Sequence, residues 1–208
     1  MGGVTNYQSL GVLGGTFDPP HYGHLALAES ARVQLRLDLL LFVPAGQQPL
    51  KPDRPTTPPH HRVAMVEAAI ADNPAFAVSR VDLYRPGPHY TVETLALLRQ
   101  EYPGAELYFL MGGDSLADLL AWRDPARIVR QATLAVMPRP GSQPDLEMLE
   151  RAVPGLRERL IWLDAPHLGI SASDLRRRAR AGLSLRYLVP PSVEGYIRQH
   201  RLYGALPG

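Results

Sequence analysis

Leu10-Gly11-Val12-Leu13-Gly14-Gly15-Thr16-Phe17-Asp18-Pro19-Pro20-His21-Tyr22-Gly23-His24 is the stretch whose pattern decides the fold. Leu10–Leu13 carries no charge and no alternation, as expected of a strand covered on both faces. Gly14 and Gly15 then turn the chain. Beyond them Leu27, Ala31 and Leu35 recur at helical spacing, with Glu29, Arg32 and Arg36 on another face. A strand, a glycine turn and an amphipathic helix in immediate succession open a βαβ unit.

The alternation continues along the chain. Leu39–Val43, Phe76–Val81, Glu106–Met111, Thr133–Met137 and Leu160–Leu163 read as further strands. Helical spacing appears at Val63, Val66 and Ile70, and again at Val92, Leu95, Leu98 and Tyr102. Leu116–Trp122 and Ala126–Arg130 read as short helices around Pro125, and Ser173–Ala181 and Ser192–His200 as closing helices. This order predicts an α/β fold: a Rossmann-like, doubly wound parallel sheet with right-handed crossovers and a small helical carboxy-terminal subregion from about residue 165. Residues 1–208 are expected to form a single domain. Pro44–Pro59 has six prolines and no periodicity, and Arg85–His89 is turn-rich; long connections of this kind often line active sites.

Composition narrows the function. Lys and Arg total 22 against 20 Asp and Glu, so the charge of +2 gives no argument for nucleic acid despite a pI near 9.0. Cysteine is absent, which excludes a disulfide scaffold, a thiolate metal site and a cysteine nucleophile. Met1–Leu10 has no basic segment followed by an apolar run, and no apolar stretch approaches the roughly 18 residues of a membrane helix. A cytoplasmic protein without membrane or nucleic-acid partners is expected. The oligomeric state is left open, a homo-oligomer included.

The glycine turn carries the chemistry. Backbone N–H groups at Gly14, Gly15, Thr16 and Phe17 can approach a phosphate, and a helix N-terminus adds a favourable dipole. The spacing is neither Gly-x-Gly-x-x-Gly nor a Walker loop. It offers instead two imidazoles, His21 and His24, which a helix would set on one face about 5–6 Å apart. An idle surface pair, or a zinc site completed by His60 or His61, are the weaker alternatives. A second segment, Gly169-Ile170-Ser171-Ala172-Ser173-Asp174-Leu175-Arg176, joins hydroxyls, a helix start and a guanidinium that can converge on an anion. Arg177, Arg178 and Arg180 read as a solvated face.

Gly-Gly-Thr-Phe-Asp-Pro-x-His-x-Gly-His together with Ile-Ser-x-Ser-x-x-Arg resembles the nucleotidylyltransferase α/β-phosphodiesterase superfamily. Gly87-Pro88-His89-Tyr90-Thr91, Gly112-Gly113-Asp114, Leu119-x-x-Trp122, Arg139-Pro140-Gly141 and Tyr187-Leu188-Val189-Pro190 are similar to the bacterial nicotinate-nucleotide adenylyltransferases. The likeness runs from about Leu10 to Tyr203.

The resemblance implies transfer of AMP from ATP to nicotinate mononucleotide, with Mg²⁺, giving deamido-NAD and pyrophosphate. It implies that Thr16, His21 and His24 hold the ATP phosphates, with Ser171, Ser173 and Arg176 completing the cradle. It puts Gly112, Gly113 and Asp114 at the nucleotide ribose, Thr91 and the neighbouring Tyr90 backbone at the nicotinate carboxylate, and Trp122 on the pyridine ring. No protein-held metal site is implied. The chain departs from the pattern at Pro49-Leu50-Lys51, where the family has Pro-His-Lys, and at Ala172, where a hydroxyl is common. Lys51 is the single lysine, which fits a place where a compact ammonium is needed. The alternatives are another acceptor, nicotinamide mononucleotide or phosphopantetheine, and a non-catalytic nucleotide-binding module. Phosphopantetheine fits less well, since that branch resembles a Thr where His21 stands.

Overall fold

A computed structural model describes residues 7–46 and 56–204. Six strands, β1 (Ser9–Gly15), β2 (Leu39–Pro44), β3 (Phe76–Val78), β4 (Glu106–Gly112), β5 (Thr133–Met137) and β6 (Leu160–Trp162), form one sheet in the order β3-β2-β1-β4-β5-β6. Every pairing is parallel. Eight α-helices accompany them among the described residues: α1 (Tyr22–Leu35), α2 (Pro59–Ile70), α3 (Thr91–Glu101), α4 (Gly113–Ala117), α5 (Pro125–Gln131), α6 (Leu146–Ala152), α7 (Ala172–Arg180) and α8 (Pro191–Gln199). The expected doubly wound sheet is present, and beyond β6 the described elements are helical.

The sheet separates two apolar cores because successive strand residues point to opposite faces. Leu10, Val12, Leu39, Leu41, Phe109 and Val136 face one core, which α3, α5 and α6 cover through Leu95, Leu98, Ile128 and Leu149. Leu13, Leu40, Phe42, Leu110 and Ala135 face the other, closed by Ala28 and Ala31 of α1, Met65 and Val66 of α2, Leu175 of α7 and Val193 and Ile197 of α8. Helix starts follow local chemistry. Pro59, Pro125 and Pro191 occupy first helical positions, where the missing N–H costs nothing, and Asp124 and Asp145 accept hydrogen bonds from the first turns of α5 and α6.

Three expectations about elements need correction. The third strand ends at Val78 rather than Val81. Leu40 donates to Ala75 and Ser79 donates to Phe42, so the next donor in the ladder would be residue 44, a proline with no N–H. The helix expected over Leu116–Trp122 breaks at Asp118 into α4 and a 3-10 turn, Leu119–Ala121. Helix α6 was not expected: among its residues only Leu149 is buried, too little to give a period.

Chain order places the functional crevice. The chain leaves β1 outward through β2 and β3, then crosses back to β4 on the other side of β1. Loops therefore diverge at the carboxyl ends of β1 and β4, where α/β sheets bind ligands. Gly14 and Gly15 end β1 there, and Gly112 ends β4.

Leu40 lies fully buried in a central strand, so Leu40→Ala is expected to destabilise by about 2–5 kcal/mol. Val33→Ala, on the exposed side of α1, should stay within about 0.5 kcal/mol. Urea titration of both variants checks the assignment of faces.

Candidate active site

Two cavities open at this crevice, and consecutive residues of the β1 turn line them. Gly14 and Gly15 border a cavity of about 300 Å³ together with Tyr90, Thr91, Phe109, Ser115, Trp122 and Arg123. Thr16 and Phe17 border a second, of about 550 Å³, with His21, His24, Arg139, Ser171, Ser173 and Arg176. The sequence expectation grouped Gly14 and Gly15 with the ATP phosphates; in the structure they line the neighbouring cavity. An added Cβ at Gly15 would lie 3.0 Å from the Phe17 ring, so this glycine makes room for Phe17, buried at the root of the turn. Phe17 itself has φ 50°, a left-handed conformation that a side chain rarely takes unless its surroundings hold it.

His21 is not a helical residue. It stands at the N-cap of α1 with extended backbone, and His24 occupies the third helical position. The rings nonetheless stack, with centroids 3.8 Å apart. The backbone N–H of His21 donates to Nδ1 of His24 at 3.3 Å, which leaves the proton of a neutral His24 ring on Nε2. Nδ1 of His21 is buried with no hydrogen-bond partner among the described residues. An added Cβ at Gly23 would lie 3.0 Å from the same His21 ring, so Gly23 leaves that ring its place.

Burial, and after it the Arg139 guanidinium, push the His21 imidazole down to about 4. His24 is also held well below its usual range by burial, then by His21 and Arg139. At pH 7 both rings are neutral N–H donors, not cations. The expected pair is thus present, but its charge state came from neighbours that spacing does not reveal.

The second segment arrives as expected. Ser171 caps α7, its hydroxyl accepting the N–H of Asp174 at 3.2 Å. Arg176 donates to the Asp18 carbonyl at 2.7 Å and to the Ser173 hydroxyl at 3.4 Å, joining α7 to the β1 turn. Arg139, just beyond β5, lines the same cavity and pairs with Asp114 at 3.4 Å. Asp114 and Gly112 border neither cavity. They stand at the end of β4, where a Cβ on Gly112 would run into the Asp114 carboxylate and the Arg139 guanidinium. Arg139 was visible in the sequence only as part of a motif, with no role attached.

In the smaller cavity Thr91 begins α3, with Tyr90 as its N-cap, so the helix directs its N-terminal end there. Trp122 meets Phe109 edge-to-face with centroids 5.9 Å apart. Arg123 lies over the Tyr90 ring at 4.6 Å and pairs with Glu93 at 3.7 Å. Behind them Asp82 accepts from Thr94 at 2.7 Å and from Arg85 at 2.9 Å, a buried network absent from the sequence expectation. Lys51 lies outside the described residues. His60 and His61 do not line the His21 pair's cavity; they pack on each other, and His61 packs with Tyr196 and His200.

Residues 12–178 match the model of the cytidylyltransferase-like family. A chain from Thermomicrobium roseum named probable nicotinate-nucleotide adenylyltransferase is 53% identical over 93% of this chain and 91% of its own length. A Roseiflexus chain of the same name is 51% identical over 93% and 97%. The chain belongs to the nicotinate-nucleotide adenylyltransferase family. Membership explains why the turn, the α7 segment and the middle motifs occur together in one chain. The fold agrees: the Plasmodium falciparum nicotinic acid mononucleotide adenylyltransferase solved with NaAD superposes with TM-score 0.77 at 20% identity, over 97% of this chain and all of that one.

A histidine whose folded pKa is depressed stabilises fully above its unfolded pKa near 6.5, and loses that stability as pH falls toward the folded value. The thermal midpoint should therefore drop between pH 6.5 and about 4, and His21→Gln should flatten that drop. Equal pH slopes in parent and variant would contradict the buried neutral imidazole.

Proposed function

We propose that this chain is a nucleotidyltransferase that moves AMP from Mg-ATP to nicotinate mononucleotide, forming deamido-NAD and pyrophosphate in NAD biosynthesis. The observation that carries this reading is one turn lining two unlike cavities. The larger has two guanidiniums, two neutral imidazoles and a helix start for a polyphosphate; the smaller has aromatic rings and a helix start for an aromatic carboxylate. The junction at Gly15 and Thr16 is where the two phosphates would meet.

In this mechanism an oxygen of the mononucleotide phosphate attacks the α-phosphorus of ATP. The new P–O bond forms as the bond to the β-phosphate oxygen breaks, and pyrophosphate leaves with that electron pair. Both partners are anions, so positioning and charge neutralisation dominate and no covalent intermediate is needed. His21 and His24 donate N–H groups to phosphate oxygens on which charge develops. Thr16, Ser171, Ser173, Arg176 and Arg139 hold the triphosphate, with Lys51 assigned to the same task. Gly112 and Asp114 serve the ribose, Thr91 and the Tyr90 backbone the nicotinate carboxylate, and Trp122 the pyridine ring.

Magnesium enters with ATP. Among the described residues the one carboxylate lining the larger cavity is Asp18, and it is already engaged by Thr57 and Tyr203. That donor set fits an ion carried by the triphosphate, which neutralises its charge, better than a cage built by the protein. No described helix is long and apolar enough to cross a membrane. A cytoplasmic location belongs to this reading because its substrates are soluble nucleotides. Residues 1–208 act as one nucleotidylyltransferase domain in this reading.

Turnover with Mg-ATP and, separately, nicotinate mononucleotide, nicotinamide mononucleotide or phosphopantetheine, with products identified by mass, tests the proposal. Deamido-NAD should form with strong preference over NAD. His24→Ala is expected to lose roughly 10²–10³ in turnover, as when other preorganised donors are removed. A rate near the parent's would remove His24 from the mechanism.

A further inference from the structure

The β1 turn is gripped largely from behind the larger cavity: Asp18 borders that cavity, but Arg62, Thr57 and Tyr203 do not. Asp18 and Arg62 are both almost completely buried. The Arg62 guanidinium donates to two backbone carbonyls, Thr16 at 2.8 Å and Thr57 at 2.9 Å. The Asp18 carboxylate accepts the Thr57 N–H at 3.1 Å on one oxygen and the Tyr203 hydroxyl at 2.6 Å on the other. Tyr203 lies beyond α8 in a 3-10 turn, Leu202–Gly204, with φ 62°. A tyrosine in that left-handed conformation is held there by its surroundings.

The geometry separates the ring from the hydroxyl. The ring packs against the core under α2, with the hydroxyl 3.9 Å from Met65 Sδ, and α8 is docked by the buried Val193 and Ile197. Removing the hydroxyl spares that apolar docking. It does leave a buried carboxylate short of a donor, two residues from Thr16 and three from His21. Such a carboxylate moves to find another donor and takes the turn with it. Burial and the Asp18 carboxylate push the Tyr203 phenol above its usual range, so it stays a donor wherever the enzyme works.

We propose that Tyr203 is a positioning residue for adenylyl transfer: by holding the Asp18 carboxylate it sets the Thr16–His21 turn for the ATP phosphates. This rests on the adenylyltransferase reading above. It means that the carboxy-terminal turn, 185 residues from Asp18, is part of the phosphate-binding apparatus.

The test compares Tyr203→Phe with Tyr196→Phe, which removes a hydroxyl bonded to His61 at 2.9 Å across the nearby α2–α8 contact. Mg-ATP binding is measured by calorimetry on the full chain without acceptor, and kcat/KM is measured for each substrate. Tyr203→Phe should weaken Mg-ATP binding and lower its kcat/KM by about tenfold, while the KM for nicotinate mononucleotide stays within about twofold. Tyr196→Phe should match the parent in both. Asp18→Asn, with and without Tyr203→Phe, supplies a double-mutant cycle: the two effects should be strongly non-additive. Should Tyr203→Phe fail to fold, a parent-like Mg-ATP affinity in Asp18→Asn would overturn the proposal. Parent-like Mg-ATP binding in Tyr203→Phe, whatever its melting temperature, overturns it directly. If the parent releases no pyrophosphate with any acceptor, the adenylyltransferase reading fails, and the binding comparison still judges Tyr203.

Discussion

A guanidinium buried away from water must have all its charge answered by the protein, and Arg62 meets that demand with the backbone itself. Its bonds to the Thr16 and Thr57 carbonyls tie the end of β1 to the start of α2, and Asp18 supplies the opposite charge beside them. Breaking one partner of such a set leaves the other buried and unanswered, so the set holds or fails together. Phe17 keeps its left-handed backbone within this frame, and Arg176 closes it from α7. The β1 turn is therefore held over a buried charge cluster.

The neighbouring cavity handles charge differently. Desolvation keeps His21 and His24 neutral, so they offer fixed N–H dipoles in a place where Arg139 and Arg176 already carry positive charge. Adding two imidazolium charges there would set four cations against each other. Neutral donors avoid that repulsion and still strengthen as negative charge develops. The smaller cavity balances charge differently: Asp82, Arg85, Glu93 and Arg123 form a chain of ion pairs around aromatic walls.

Much of this was legible from residue order. The six strands were located to within a few residues, because continuous apolar runs between helical periods are local signals. The third strand's early end was legible in principle, since it follows from Pro44 in the neighbouring strand, but only once the register was known. Thr16, His21, His24, Ser171, Ser173 and Arg176 were named from two contiguous motifs, and they do converge on one cavity. Arg139 lies in a motif with no chemistry of its own, while Asp18, Arg62 and Tyr203 show their meaning only in each other's company.

The sequence by itself determined the doubly wound sheet through local periodicity, the two contiguous motifs whose hydroxyls, imidazoles and guanidinium line one cavity, and, through the likeness of those motifs, the family. The tertiary structure decided what those residues are when they meet. It made the histidines neutral through burial, turned Gly14 and Gly15 toward the smaller cavity, and brought Arg176 and Tyr203 to Asp18 across 158 and 185 residues. Desolvation and long-range hydrogen bonds depend on distance through space, and no separation along the chain encodes that distance.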